Sequence, residues 1–161
     1  EALENGFFER FVGGDGMKSD SLIEELGAEN LTTFVASAAT GEGGAALDRF
    51  NDLYAEAGGN PDDIYVTSGY DAAFLLALAY EHAGGDLEAM PDSLRAVATR
   101  PGQPIMPGDW ATAKQLIAAG SDIDYQGAAG DQEFDENGDV PGTFALFEVT
   151  DGAFTVRTEM K

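Results

Sequence analysis

Apolar residues in this 161-residue chain change their spacing twice, and that order limits the fold more than any single motif does. Phe7, Phe8, Phe11 and Val12 read as a strand running into the glycine-rich turn Gly13-Gly14-Asp15-Gly16. Ser21-Leu22-Ile23-Glu24 has the form of a capping box, a hydroxyl and a carboxylate three residues apart serving orphan backbone donors. It predicts a short helix to Leu26 with Gly27 as its stop, and Leu31 to Ser37 then reads as a second buried strand. After the bulk-free connector Thr40 to Gly44 the spacing becomes helical, with Ala46, Leu47, Phe50, Leu53 and Tyr54 on one stripe. Further helices are predicted over Ser68–Ala83, buried through Ala72, Leu75, Leu76 and Ala79, over Asp86–Ala98, and over Asp109–Ala119 with Asp109 as N-cap. Thr99 to Gly108 holds three of the six prolines, which predicts an extended crossing segment with no regular element. The spacing changes again at the end. Thr143–Val149 is expected to pair with Phe154–Thr158 across Asp151-Gly152, and Asn137-Gly138 marks another hairpin turn.

Strand-helix-strand, then four helices, then a β-rich tail is α/β in class. A self-contained doubly wound domain keeps alternating strands with helices, whereas this order leaves helices with no sheet to cover. The chain therefore reads as part of something larger. Its start at Glu1 without Met agrees with a processed or truncated product.

Thirty acidic residues against eight basic ones give a formal net charge of -22. Such a surface repels phosphate backbones and anionic lipid, so no nucleic-acid partner is expected; solubility or a salty habitat accounts for the charge. With no cysteine, disulfides, thiolate metal sites and cysteine nucleophiles are excluded. The single histidine, His82, falls at a helix C-terminus, where a cation is favoured, and reads as a surface cap. One histidine and no thiols are too few for zinc. Asp135, Asn137 and Asp139 open like a calcium loop, but Val140 and Leu146 stand where glycine and the closing glutamate belong. No phosphate-loop glycine pattern occurs. No cofactor, metal or catalytic residue is expected.

Asp15 stands apart. A carboxylate at the mouth of a strand, among residues that let a ligand approach the backbone, suits an ammonium group held by charge-assisted hydrogen bonds. On physics alone it could equally cap the following helix.

Phe11-Val-Gly-Gly-Asp-Gly16, Tyr65-Val-Thr-Ser-Gly-Tyr-Asp-Ala-Ala73 and the closing run from Tyr125 through Phe134-Asp-Glu-Asn-Gly-Asp139 to Phe147-Glu-Val-Thr-Asp-Gly152 resemble, in order, the C-terminal half of the leucine/isoleucine/valine-binding protein family. These are type I periplasmic solute-binding receptors of ABC transporters. The resemblance spans about Phe7 to Glu159 and implies part of a two-lobed molecule with three-layer αβα lobes, incomplete in this chain. It implies residues 1–40 as a C-terminal-lobe strand-helix-strand, 41–108 as a helical segment of the other lobe with crossing segments, and 109–161 as a C-terminal-lobe helix and β-rich tail. In that family the lobes close on an amino acid, and the acidic residue holding its ammonium falls on Asp15, with Gly16 beside it. An aromatic near the cleft falls on Tyr65. Tyr70-Asp71, also a family signature, is expected to pack and cap its helix.

The implied function is a periplasmic receptor for a branched-chain or related amino acid or amide, delivering it to an ABC permease without chemistry. The alternatives are a ligand-sensing regulatory domain of the same fold and a carboxylate-dependent hydrolase. A half-receptor is further expected to self-associate, or to belong to a longer native chain.

Overall fold

The computed structural model describes Ala2 and residues 5–160, the side chains of residues 159 and 160 excepted; Glu1 lies outside the described residues. Contacts divide the chain into two compact units, one of Glu1–Thr40 with Thr143–Lys161 and one of Gly41–Gly142.

The first unit is a four-stranded sheet in the order β1-β2-β5-β6, built from β1 (Phe11–Gly13), β2 (Phe34–Thr40), β5 (Thr143–Thr150) and β6 (Ala153–Met160). β1 runs parallel to β2, with Gly13 opposite Ala36, and β2-β5 and β5-β6 are antiparallel. Helix α1 (Asp20–Leu26) makes the crossover between β1 and β2. Its cap is Ser19, whose hydroxyl accepts from the Leu22 N–H, so the capping role falls two residues before the predicted Ser21. Strict alternation in β5 turns Thr143, Ala145, Phe147 and Val149 inward, the period of two expected of a strand with one covered face. Leu31, Phe34, Ala36 and Val149 form the core, against which Phe11, Leu22, Ile23 and Phe154 pack. The β5-β6 hairpin turns at Asp151-Gly152, as the sequence predicts, with both residues at positive φ.

The second unit contains α2 (Ala45–Glu56), α3 (Val66–His82), α4 (Met90–Ala98) and α5 (Trp110–Ala118) around a short parallel pair, β3 (Gln103–Ile105) and β4 (Ile123–Tyr125). Its core joins Leu75, Leu78, Val97, Ala98, Ile105, Ala113, Ile123 and Tyr125. Three features differ from the sequence reading. The buried stripe of α3 is Asp71, Leu75, Leu78 and Ala79, while Leu76 is 53% exposed and Ala72 is exposed. The stripe lies where α4 and α5 pack, and between Ala72 and Tyr80 the helix is apolar on every side, so composition cannot say which side that is. Thr99–Gly108 contains β3, which tolerates Pro104 because the strand is short and solvent-facing there. That segment lies inside the second unit and not between units, and α5, β4 and the residues up to Gly142 group with the helices rather than with the β-rich tail. The reason is packing: Ala113 of α5 and Ile123 and Tyr125 of β4 share one core with α3 and α4.

Among the described residues no helix is long and apolar enough to cross a membrane.

Candidate functional site

In the first unit, β1 ends at Gly13 and the chain enters a 3-10 turn, Asp15–Met17, at the carboxyl end of the strand. Gly13 is required there: a Cβ would lie 2.8 Å from the Phe34 ring and 2.9 Å from the Met17 sulfur. Gly14 and Gly16 face open space, with nothing within 4 Å of an added Cβ. The turn is thus buttressed from below and approachable from above. Asp15 is exposed, and its Oδ1 accepts from the Gly16 N–H at 2.8 Å. It does not cap α1, a task Ser19 performs. Behind the turn, the Lys18 ammonium sits 4.8 Å from the centre of the Phe147 ring.

In the second unit, Tyr65 precedes α3 with φ at 65°, a left-handed conformation that costs a residue with a Cβ about 1–2 kcal/mol. Its ring is 51% exposed. Such strain persists only where the surroundings impose it, and it marks positions worth testing for function. The anchors follow at once. Tyr70 packs between Phe50, whose ring is tilted against it at 5.2 Å, and Phe74, stacked on it at 5.5 Å, and its hydroxyl accepts from the Gly108 N–H at 2.9 Å.

Asp71, 2% exposed, is the hub that reading the sequence missed. Its carboxylate accepts from the Tyr125 hydroxyl at 2.7 Å, from the N–H groups of Ala128 at 2.9 Å and Ala129 at 2.8 Å, and from Gln132 Nε2 at 3.5 Å. It therefore ties its helix to a loop far along the chain instead of capping it. Burial pushes its carboxyl up, against the opposing pull of these donors, and burial beside Asp71 pushes up the Tyr125 hydroxyl as well. The signal was present in the Tyr70-Asp71 signature, but nothing local names partners more than fifty residues away. Asp124, equally buried, accepts from Gln126 Nε2 at 3.0 Å.

The loop held by Asp71 forms one wall of a cavity of about 320 Å³ within the second unit, through Gln126, Gly127, Gly130 and Asp131. Glu42 to Ala46, where α2 begins, and Arg100 also line it. Arg100 is bound by two carboxylates, Asp131 at 2.5 Å and Glu133 at 2.7 Å, and its own backbone N–H and guanidinium hold Glu133 below the usual carboxylate range.

The remaining candidates have structural roles. His82 lies exposed in the last turn of α3 with Nδ1 3.0 Å from the Ser93 hydroxyl, linking α3 to α4. Asp135 folds its loop on itself by accepting from the N–H groups of Asn137 and Asp139 at 2.8 and 2.9 Å, and no strands flank it, so Asn137-Gly138 is a closed loop rather than a hairpin. Among the described residues no group of three or more histidine, aspartate or glutamate side chains converges as a metal ion requires.

The model of a family described as the receptor family ligand binding region matches residues 7–152. The chemotactic signal transduction system substrate-binding protein BasB of Halobacterium salinarum is 30% identical over 98 residues, covering 60% of this chain and 24% of that protein. Among solved structures, the leucine-binding protein LivK of Thermotoga maritima superposes with a TM-score of 0.68 at 22% identity, over 98% of this chain and 39% of its own. The branched-chain amino acid transporter substrate-binding protein LivJ of Streptococcus pneumoniae, in complex with isoleucine, gives 0.63 at 20% identity over 98% and 38%. The chain thus spans about a quarter of the curated relative and about two-fifths of the solved proteins. The architecture is α/β and carries part of the type I periplasmic binding protein fold.

Proposed function

Because the chain belongs to the receptor family ligand binding region, we propose that it is part of an extracytoplasmic receptor for an amino acid or amide that performs no chemistry on its ligand. Asp15 receives the ligand's ammonium, with Gly16 beside it leaving room for approach, and Tyr65 offers an aromatic face to the solute. The observation that carries this reading is the exposed Asp15 carboxylate at the carboxyl end of a parallel strand, on a turn whose glycines open outward. Open α/β sheets bind small molecules at that end of their strands. The Glu1–Thr40 and Thr143–Lys161 unit is assigned to one lobe of the receptor and Gly41–Gly142 to the other. Delivery to an ABC permease at the outer face of a membrane is part of the same proposal, supported by the likeness to LivJ, a transporter substrate-binding protein.

A second reading has its own support: the curated relative BasB is a chemotactic substrate-binding protein, so the same domain could feed a signalling receptor instead of a permease. The two share a site and differ only in partner. Calorimetric titration of the full receptor with leucine, isoleucine and valine tests the site. Asp15→Ala is expected to abolish binding while the ligand-free melting curve stays nearly unchanged, and tight binding by that variant rejects the assignment. Pull-down with the loaded receptor, capturing permease or chemotaxis transducer, separates the partners.

A further inference from the structure

Tyr65 and the 125–132 loop belong to distant parts of the sequence, yet within the second unit they are fastened to the same short stretch of α3. Tyr65 is the residue from which the helix starts, its carbonyl accepting from the Gly69 N–H at 2.7 Å. One turn later Tyr70 is clamped by Phe50, Phe74 and the Gly108 N–H. The next residue, Asp71, takes both backbone donors at the crest of the loop and the hydroxyl at its base. The fit leaves no slack, because a Cβ on Gly127 would lie 2.5 Å from Asp71 Oδ2 and 2.7 Å from Gln132 Nε2. The loop also closes on itself, through paired Gly127 and Gly130 backbone bonds and a bridge between Gln126 and Asp131. A helix is stiff over two turns, so whatever fixes Asp71 also fixes the strained backbone at Tyr65, from which its exposed ring projects.

We propose that Asp71 is a positioning residue for ligand binding: its carboxylate welds the head of α3 to the 125–132 loop, so that Tyr65 and the cavity wall of Gln126 and Asp131 move as one rigid piece. An acceptor on every side is what the site demands, and an ionised carboxylate supplies it; an asparagine amide would turn one face into a donor and set it against donors. The inference rests on the reading that Tyr65 meets the solute. A residue that merely stabilised the fold would change the fraction of folded receptor and not the affinity of the molecules that are folded.

The test uses the full receptor, its folded fraction isolated by size exclusion, with isoleucine as the probe in calorimetry and amide hydrogen exchange read at Ala128 and Ala129. Asp71→Asn is expected to raise exchange at both amides at least tenfold and to raise the Kd for isoleucine about tenfold. Tyr125→Phe removes one donor and leaves the carboxylate, so it folds even where Asp71→Asn does not; it is expected to raise the Kd two- to fivefold and to speed the same two amides. Tyr65→Ala is the control for the site. Lost affinity in Tyr65→Ala with unchanged affinity in folded Asp71→Asn or Tyr125→Phe overturns this inference and spares the site. Unchanged affinity in Tyr65→Ala overturns this inference together with the role given to Tyr65, and leaves Asp15 to its own test.

Discussion

The Tyr125 hydroxyl donates a 2.7 Å hydrogen bond to the Asp71 carboxylate across 54 residues of sequence, and both side chains are almost wholly removed from water. A buried hydrogen bond to a charged group contributes about 1.5–3 kcal/mol, and removing a partner from a buried network costs more than the bond it breaks. Tyr125→Phe is therefore expected to lower the unfolding free energy by about 1.5–3 kcal/mol. Asp71→Ala, which leaves Tyr125, Ala128 and Ala129 without their acceptor, should cost about 3 kcal/mol or more. Urea titration with an unchanged slope and a lower midpoint is the measurement. Equal midpoints for Tyr125→Phe and the parent would show that the hydroxyl contributes nothing.

Acid acts on this unit in two opposite directions. The Asp71 carboxyl is pushed up by burial, so the proton-linked part of its contribution to stability is complete below its unfolded pKa and is lost as pH rises through the folded value, whereas the bonds its ionised form accepts persist above it. Glu133, held down by the Arg100 backbone N–H and guanidinium, and Asp135, held down by the Asp139 and Asn137 N–H groups, contribute above their unfolded pKa and lose that contribution as pH falls through the folded value. Melting temperature followed from about pH 7 down to about pH 3, across the ordinary carboxylate range, separates them. Glu133→Gln should flatten the loss on acidification and Asp71→Asn should steepen it relative to the parent. Parallel curves for all three proteins would contradict these directions.

Much of the architecture could be read from residues alone, because it depends on local signals. The helical stripe of α2 through Phe50, the alternation of Thr143 to Val149 and the Asp151-Gly152 turn all act within a few residues of one another. What stayed hidden depends on distance. β3 and β4 are three residues each, too short to show any period, and Pro104 argued against a strand that its edge position in fact permits. The resemblance groups residues 109–142 with the β-rich tail, yet the core they join is defined by Leu75, Leu78 and Val97, which no local pattern identifies as their neighbours. The candidate site divides in the same way. Asp15 could be picked out from its glycines and its place after a strand, whereas the tie from Asp71 to Ala128 and Ala129 needed the folded chain.

The three glycines around Asp15 are predicted to behave differently. Gly13→Ala drives a Cβ into the Phe34 ring and the Met17 sulfur, and overpacking of that kind costs about 1–3 kcal/mol. Gly14→Ala and Gly16→Ala meet nothing within 4 Å, and neither backbone is left-handed, so their stabilities should stay within about 0.5 kcal/mol of the parent. Gly16→Ala should nevertheless weaken isoleucine binding, since its methyl group would stand where the solute is proposed to approach. Thermal melts and calorimetry on the same three variants check both halves. A destabilised Gly16→Ala would mean that the turn is packed from above.

Charge, and not shape, is what Asp15 is proposed to supply, and Asp15→Asn separates the two. The amide keeps the size of the side chain and an acceptor oxygen, but it cannot stabilise an ammonium that has left water. A charge-assisted hydrogen bond is worth about 1.5–3 kcal/mol, which corresponds to a Kd raised about 10- to 150-fold for an amino acid. A ligand of the same shape that lacks the ammonium, such as the corresponding hydroxy acid, should bind parent and variant with nearly equal affinity, because it brings no cation for the carboxylate to meet. Competition calorimetry with leucine and its hydroxy analogue reads the difference. If Asp15→Asn binds leucine as tightly as the parent does, the ammonium is held elsewhere and the role proposed for the strand-end carboxylate fails.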